Sequence, residues 1–325
     1  MPFLAYDDKM ACSTMLFPIY ATLFAAQLTT PIPAEPETEA YIAKNLPKQF
    51  LAPDSEQIAI AQDRVDRMTV SVNIAHGGPF EFIIDTASQR TILSKEIAGA
   101  LALDIEDEVT IVALAGSTVV QTVYVPSLTL GKRSYDSLIS PIFRSANIGA
   151  DGVLGLDSLQ GQRILFDFVG KHILVEDTDK KLRSRSRREI VVTARRRSGQ
   201  LIFTNATIAG VKTSVIIDTG GELSIGNKAL QRRLRLKSSD IVQTSLIDVT
   251  GRSIMADYGI AEELVIDRAR FGIIPIAFAD IAPFKALKLH KKPALFLGMD
   301  ALRQFDRLAI DFANRKIYFL LPEDA

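Results

Sequence analysis

Short apolar stretches separated by turn residues dominate the hydrophobic pattern of the chain. Residues 68–75 and 201–208 alternate apolar and polar positions, which is typical of strands with one buried face. Residues 82–84 and 215–217 are apolar throughout, which indicates strands that are buried on both faces. The pattern predicts a mostly β protein.

The pattern is also duplicated. A shift of 133 residues lays positions 56–103 over positions 189–236 without a gap, and twelve of the 48 pairs are identical. A second stretch repeats as well, since Leu154-Gly155-Leu156-Asp157 corresponds to Leu297-Gly298-Met299-Asp300. We therefore expect two copies of one unit, each a small β barrel with one or two short helices. Helices are predicted at 95–103 and 228–236, and at two further positions where Asp157 and Asp300 act as N-caps.

The duplication sets the domain boundaries. Residues 1–54 form a leader and spacer, 55–176 the N-terminal lobe, 177–188 a basic linker and 189–325 the C-terminal lobe. The linker is interpreted as a solvated connection between lobes. The alternative is a contact with nucleic acid or anionic lipid, which is disfavoured because no aromatic residues interleave to stack on bases.

Composition narrows the chemistry. Thirty-eight Lys and Arg balance thirty-eight Asp and Glu, so no basic field attracts nucleic acid and no nucleic-acid partner is expected. The single cysteine, Cys12, lies in the leader, which excludes an internal disulfide and a cysteine nucleophile in the lobes. The three histidines are widely separated, and neither a His-Glu-x-x-His pair nor a Gly-x-Ser-x-Gly elbow occurs. A hydrolase of this sequence must use carboxylates, without metal.

Each copy places an aspartate directly after its buried apolar run, at Asp85 and Asp218. An ionisable group there is costly unless it is solvated, paired or used. If the copies pack about a pseudo-twofold axis, the two carboxylates meet and share one proton. The ionised group then accepts a proton from an attacking water, and the protonated group donates to the oxyanion. The alternative is an Asx-type turn at each strand end.

These residues resemble the aspartic peptidases of the pepsin and retropepsin clan. The Asp-Thr-Gly signature of that family corresponds to Asp85-Thr86-Ala87 and Asp218-Thr219-Gly220, with hydroxyl residues at Thr91 and Ser224. Its hydrophobic-hydrophobic-Gly element corresponds to 153–155 and 296–298. The resemblance covers most of 56–319 and is greatest to bacterial retropepsin-like proteins.

The resemblance implies a fold, a function and a set of site residues. The fold is the acid-protease fold, with two homologous closed β-barrel lobes related by a pseudo-twofold axis. The substrate is a polypeptide, no cofactor is required, and a monomer is sufficient for activity. The implied catalytic residues are Asp85 and Asp218, their loops are supported by Thr86, Ala87, Thr219 and Gly220, and the substrate is bound by Ser88, Gln89, Gly221, Glu222, Gly116 and Gly251.

Three details of the site are open at this point. Ala87 replaces the usual glycine, which costs about 1 kcal/mol if its φ is positive and nothing if its φ is negative. Glu222 is expected to favour a basic or backbone-amide group. Asp167 and Asp311 are also duplicated, but they precede turns at Gly170 and Asn314 and are interpreted as structural.

The leader suggests a compartment. Residues 11–26 form an apolar run without charge, which resembles the h-region of a secretory signal peptide. At 16 residues it is shorter than the roughly 20 that span a bilayer comfortably. We expect a periplasmic or secreted protein, with an uncleaved membrane anchor and a buried core helix as the alternatives.

The sequence therefore predicts an aspartic endopeptidase of the bacterial envelope that activates water between Asp85 and Asp218. A first alternative is a non-catalytic peptide-binding protein that keeps the cleft and does not cut. A second is a structural or anchoring protein of the envelope whose basic linker binds anionic partners.

Overall fold

The computed structural model describes residues 15–16, 56–62, 68–177, 189–197 and 200–321. The rest of the predicted leader and nearly all of the basic linker lie outside these residues. Among the described residues, no helix has both the length and the apolar character needed to cross a bilayer.

The first lobe is built from strands. A two-residue strand of the leader, β1 (Met15–Leu16), pairs in parallel with β6 (Ile105–Ala113) at Ile111 and Val112. The strands up to the linker are β1 (Met15–Leu16), β2 (Glu56–Gln62), β3 (Met68–Ile74), β4 (Gly77–Ile84), β5 (Ile92–Ser94), β6 (Ile105–Ala113), β7 (Gly116–Leu130), β8 (Arg133–Phe143), β9 (Gly152–Leu154), β10 (Gln162–Asp167) and β11 (His172–Asp177).

Six of these strands close a barrel, as the sequence predicted. The hydrogen-bonded order runs β7-β8-β5-β9-β4-β3, and β3 pairs back onto β7 at Asn73 and Ile74. The apolar run 82–84 is buried on both faces, because β4 lies inside this ring between β3 and β9.

The second lobe repeats this arrangement. Its corresponding row of hydrogen-bonded strands runs from β18 (Ser253–Ala261) to β19 (Leu264–Ile266). Only two residues separate these two strands along the chain, so they bring the two ends of the row together. Its strands are β12 (Glu189–Thr193), β13 (Arg195–Arg197), β14 (Gln200–Ile208), β15 (Val211–Ile217), β16 (Ser224–Gly226), β17 (Val242–Ile247), β18 (Ser253–Ala261), β19 (Leu264–Ile266), β20 (Ala269–Phe271), β21 (Ile274–Phe278), β22 (Ala294–Leu297), β23 (Arg307–Asp311) and β24 (Lys316–Leu320).

The helices are short and occupy equivalent places in the two lobes. The two predicted from the pattern are both present and begin at side-chain caps, where Ser94 accepts from Ile97 N and Asn227 accepts from Leu230 N. The helices are α1 (Lys95–Ala100), α2 (Ser145–Ile148), α3 (Leu156–Leu159), α4 (Lys228–Leu234), α5 (Ala282–Ala286) and α6 (Met299–Leu302), with a 3₁₀ turn at Ser238–Asp240.

The N-cap prediction for Asp157 and Asp300 was wrong by two positions. The N-caps of α3 and α6 are Gly155 and Gly298, and each aspartate is the second residue of its helix. The carboxylates do not cap the helices because they accept hydrogen bonds from other side chains. Asp157 accepts from the Thr91 hydroxyl and Asp300 from the Ser224 hydroxyl.

One antiparallel sheet joins the lobes, in the order β2-β11-β10-β23-β24-β12. Its central strands β10 and β23 belong to different lobes, and they pair Arg163 with Asp311 and Asp167 with Arg307. Both pairs are buried ion pairs, with Nη2 of Arg163 2.9 Å from Oδ2 of Asp311 and Nε of Arg307 2.7 Å from Oδ2 of Asp167. The lobes therefore share a continuous backbone sheet with buried charges at its centre.

The same two aspartates close turns, as their structural interpretation predicted. Oδ1 of Asp167 accepts from Gly170 N at 2.7 Å, and Oδ1 of Asp311 accepts from Asn314 N at 2.8 Å.

Candidate active site

The two predicted aspartates lie at equivalent ends of buried strands. Asp85 follows β4 and Asp218 follows β15, and the backbone N–H of each donates to the end of the neighbouring parallel strand, at Leu154 O and Leu297 O, both at 3.0 Å. Both aspartates have 0% of their surface exposed. Each carboxyl group is thus placed by a pair of parallel strands that the hydrophobic-hydrophobic-Gly element completes.

Two threonines tie the aspartate loops together across the lobes. Thr86 Oγ1 donates to Ile217 O at 2.9 Å, and Thr219 Oγ1 donates to Ile84 O at 2.8 Å. Each hydroxyl also accepts from the backbone N–H of the other threonine, at 3.2 Å in both directions. This reciprocal set of four buried hydrogen bonds brings the ends of β4 and β15 side by side.

Each aspartate also shapes its own loop. Oδ1 of Asp85 accepts from Ala87 N at 2.6 Å and from Ser88 N at 3.0 Å, and Oδ1 of Asp218 accepts from Gly221 N at 3.0 Å. These are Asx-type contacts, the alternative that the sequence left open. They coexist with the pairing of the loops, because the contacts across the lobes come from the threonines.

Gly220 and Ala87 occupy matching positions but meet different surroundings. A Cβ on Gly220 would lie 2.8 Å from Cβ of Asp85 and closer still to its carboxyl carbon, so the loop of the second lobe packs directly against that side chain. Ala87 has no positive φ, so its methyl group causes no backbone strain. Its carbonyl instead accepts from Nε2 of Gln200 in the second lobe at 2.6 Å.

A buried carboxylate braces each loop from behind. Asp157 accepts from Thr91 N at 2.8 Å and Thr91 Oγ1 at 2.7 Å, and Thr91 Oγ1 in turn accepts from Gly155 N. Burial raises the pKa of Asp157, although its hydrogen bonds with Thr91 and Ser158 and the charge of Arg90 lower it. A Cβ on Gly155 would lie 2.8 Å from Thr91 N, so this contact requires glycine.

The second lobe repeats the brace with Asp300. Oδ1 of Asp300 accepts from Ser224 Oγ at 2.7 Å, and Ser224 Oγ accepts from Gly298 N at 3.1 Å. Burial raises the pKa of Asp300 to about 6, although its hydrogen bonds with Ser224 and Ala301 and the charge of Arg303 lower it. Burial, together with the Asp300 charge, also raises the pKa of Tyr258.

The residues predicted to bind substrate next to the aspartates lie on these loops. Ser88 is fully buried and donates its hydroxyl to Arg90 O, while Gln89 is half-buried. Gly221 O accepts from Met299 N at the start of α6. The Glu222 carboxylate lies 3.5 Å from Nη1 of Arg303, so this charge already has a cationic neighbour within the lobe.

Gly116 and Gly251, which were predicted to bind substrate, lie at the tips of two hairpins. We call the hairpin of β6 and β7 the first flap and the hairpin of β17 and β18 the second flap. Gly116 has a φ of +127° and Gly251 a φ of +81°, so both use backbone conformations that L residues rarely adopt.

Two cavities lie beside the flap tips, one on each lobe. The cavity on the first lobe has a volume of about 300 Å³. It is lined by Arg144 and Asn147 of that lobe and by Thr250 of the second flap. The one on the second lobe has a volume of about 610 Å³ and includes Leu114 of the first flap and His290. Neither cavity is lined by Asp85 or Asp218.

Sequence reasoning missed Asp248, Arg252 and Gln200. Each contacts the opposite lobe: Asp248 accepts from Ala115 N, Arg252 donates to Gly116 O, and Gln200 donates to Ala87 O. The only signal in the sequence was that Asp248 and Arg252 lie close to Gly251, which was predicted to bind substrate. In the described part of the chain, no group of three or more His, Cys, Asp or Glu side chains is arranged to hold a metal ion.

Comparisons with known families agree with this geometry. Residues 68–161 match a family model described as "gag-polyprotein putative aspartyl protease", and residues 204–301 match one described as "Aspartyl protease". No curated protein matches the chain. The two matches fall one in each lobe, and each contains that lobe's aspartate and its hydrophobic-hydrophobic-Gly element. The chain therefore belongs to the retropepsin-like aspartic peptidases, with both aspartyl protease lobes in a single polypeptide.

Proposed function

We propose that the protein is an aspartic endopeptidase in which Asp85 and Asp218 hold one proton between them and activate a water molecule. The observation that supports this most directly is the set of four hydrogen bonds between Thr86, Thr219 and the strand ends, which brings the two aspartate loops into contact. The packing of Gly220 against Asp85 supports it further.

The proposed water activation follows from two buried carboxyl groups on loops that contact each other across the lobes. Ionising both is costly in a site removed from water, so one carboxyl group keeps its proton while the other is charged. The charged group accepts a proton from the attacking water, and the protonated group donates to the carbonyl oxygen as it becomes an oxyanion. The backbone N–H groups of Ala87, Ser88 and Gly221 hold the carboxyl oxygens in place.

The test is peptide cleavage by the full-length chain and by isosteric variants. Asp85→Asn and Asp218→Asn should each lower kcat by about 1,000-fold or more, because an amide cannot share the proton. Asp136→Asn is the matched control, because Asp136 is an exposed aspartate on β8. Its Oδ1 accepts a hydrogen bond from Ser134 Oγ. Circular dichroism of all variants separates lost chemistry from lost folding.

A result against this function is equally clear. If the wild-type chain binds a statine-containing peptide and cuts no peptide at any pH from about 3 to 7, the non-catalytic peptide-binding alternative replaces the enzyme.

We also propose that the protein works in the cell envelope, in the periplasm or after secretion, with the leader as signal peptide or anchor. Support comes from the uncharged apolar run at 11–26. Mass spectrometry of the N-terminus of the protein isolated from cell fractions tests this. An intact leader on a cytoplasmic protein would refute it.

A further inference from the structure

The tips of the two flaps cross, and each buries an apolar side chain in the opposite lobe. Leu114 of the first flap is 1% exposed and joins an apolar cluster of the second lobe that includes Ile216 and Phe284. Val249 of the second flap is 0% exposed and joins a cluster of the first lobe that includes Ile83 and Ile148. Each flap tip therefore makes apolar contacts with the opposite lobe.

Polar side chains of the second flap fasten the tip of the first. Oδ2 of Asp248 accepts from Ala115 N at 3.1 Å, and Nη2 of Arg252 donates to Gly116 O at 3.1 Å. Asp248 is itself held by its own turn, because Oδ1 accepts from Thr250 N at 2.9 Å, from Arg252 N at 3.2 Å and from the Thr250 hydroxyl. Arg252 is oriented by Nε, which donates to Thr250 Oγ1 at 3.1 Å.

The two groups that Asp248 and Arg252 bind are backbone groups of the first flap tip: the N–H of Ala115, a donor, and the C=O of Gly116, an acceptor. An extended peptide that pairs with a strand edge offers one C=O and one N–H per dipeptide, which are the partners that such a tip requires. The Asp248 carboxylate therefore stands where a peptide carbonyl would accept, and the Arg252 guanidinium stands where a peptide N–H would donate.

We propose that Asp248 and Arg252 are positioning residues that hold the first flap closed until the backbone of a peptide substrate replaces them. This rests on the proposed function, because the incoming ligand is a peptide. Weakening either contact lowers the cost of opening the flap, so a peptide enters faster. The aspartates are untouched, so the change appears in association and KM more than in kcat.

The experiment uses the full-length chain and the variants Asp248→Asn and Arg252→Met. Hydrogen exchange measures the amides of residues 114–117, and stopped-flow fluorescence measures association of a labelled statine-containing peptide. Both variants should exchange these amides about tenfold faster and bind the peptide about tenfold faster, as expected for the loss of one charge-assisted hydrogen bond. Arg270→Met is the control, because Arg270 is an exposed arginine of the same lobe that pairs with Glu263.

The outcomes separate this proposal from the proposed function. Unchanged amide exchange at 114–117 in Arg252→Met overturns the role of the pair, and so does an unchanged association rate. If Asp248→Asn does not fold, Arg252→Met decides alone, because Arg252 is only half-buried. If no variant and no wild-type chain binds the peptide, the proposed function fails, while amide exchange still reports whether the side chains hold the flap.

Discussion

Replacing Gly220 with alanine places a methyl group where the side chain of Asp85 now lies. Its Cβ would be 2.8 Å from Cβ of Asp85, whereas ordinary contacts begin near 3.4 Å, so the two must separate by more than about half an ångström. The carboxyl carbon is closer still and must move further. The threonine hydrogen bonds resist separation of the loops, so the displacement falls on the aspartate pair.

The size of the effect follows from that displacement. A misplacement of about 1 Å at reacting groups lowers rates by about 100-fold, so we expect Gly220→Ala to lower kcat by that factor. Overpacking should also lower the free energy of unfolding by about 1–3 kcal/mol. Steady-state cleavage of a peptide gives kcat, and urea titration gives the stability.

Ala87→Gly is the matched control at the equivalent position. Ala87 lacks a positive φ and its methyl group is buried in an apolar cluster, so the variant loses about 1 kcal/mol of stability. Its kcat should stay within about threefold of the wild type. A Gly220→Ala variant that retains wild-type kcat and stability would refute the close packing of the loops.

Two further predictions concern buried charges away from the aspartate pair. Asp300→Asn removes a carboxyl group whose pKa is raised from 3.8 to about 6, so the folded protein binds this proton more tightly than the unfolded chain. Stability from this group is greatest below about pH 4 and is lost as the pH rises to about 6, by at most about 3 kcal/mol, and the variant should lose that slope in urea titrations; an unchanged slope contradicts the raised pKa. Arg163→Met removes the cation that Asp311 and Glu176 contact, and should lower the free energy of unfolding by about 3–5 kcal/mol. Adding Asp311→Leu should restore part of this loss, and no recovery would show that the cost lies in packing.

Local patterns in the sequence were sufficient to predict the lobes and the position of the aspartates. The apolar runs before Asp85 and Asp218 are buried strands because both faces of β4 and β15 are covered, which the lack of polar alternation and the shortness of each run indicated. The duplication then predicted that the two loops meet about a pseudo-twofold axis, and the reciprocal threonine contacts join the two loops.

Features that depend on contacts between lobes were not predictable in the same way. The partners of Asp248 and Gln200 lie more than 100 positions away in the chain, and nothing in their own neighbourhood indicates them. The N-caps were assigned incorrectly because Asp157 and Asp300 accept hydrogen bonds from the hydroxyls of Thr91 and Ser224. Each lies one residue inside its helix instead of capping it. The Arg163 and Arg307 pairs did leave a signal, an Arg-x-x-x-Asp repeat at 163–167 and 307–311, which the antiparallel register turns into two reciprocal pairs.

The central position of β10 and β23 restricts how this molecule can move. Five backbone pairs and two interior ion pairs join these strands, on the side of the molecule where the two halves would otherwise part. Separating the two lobes on this side would break these buried pairs, so we expect the lobes to stay joined there when a peptide enters. We therefore expect bending of the two hairpin tips, rather than separation of the lobes, to set how quickly a peptide reaches and leaves the aspartates.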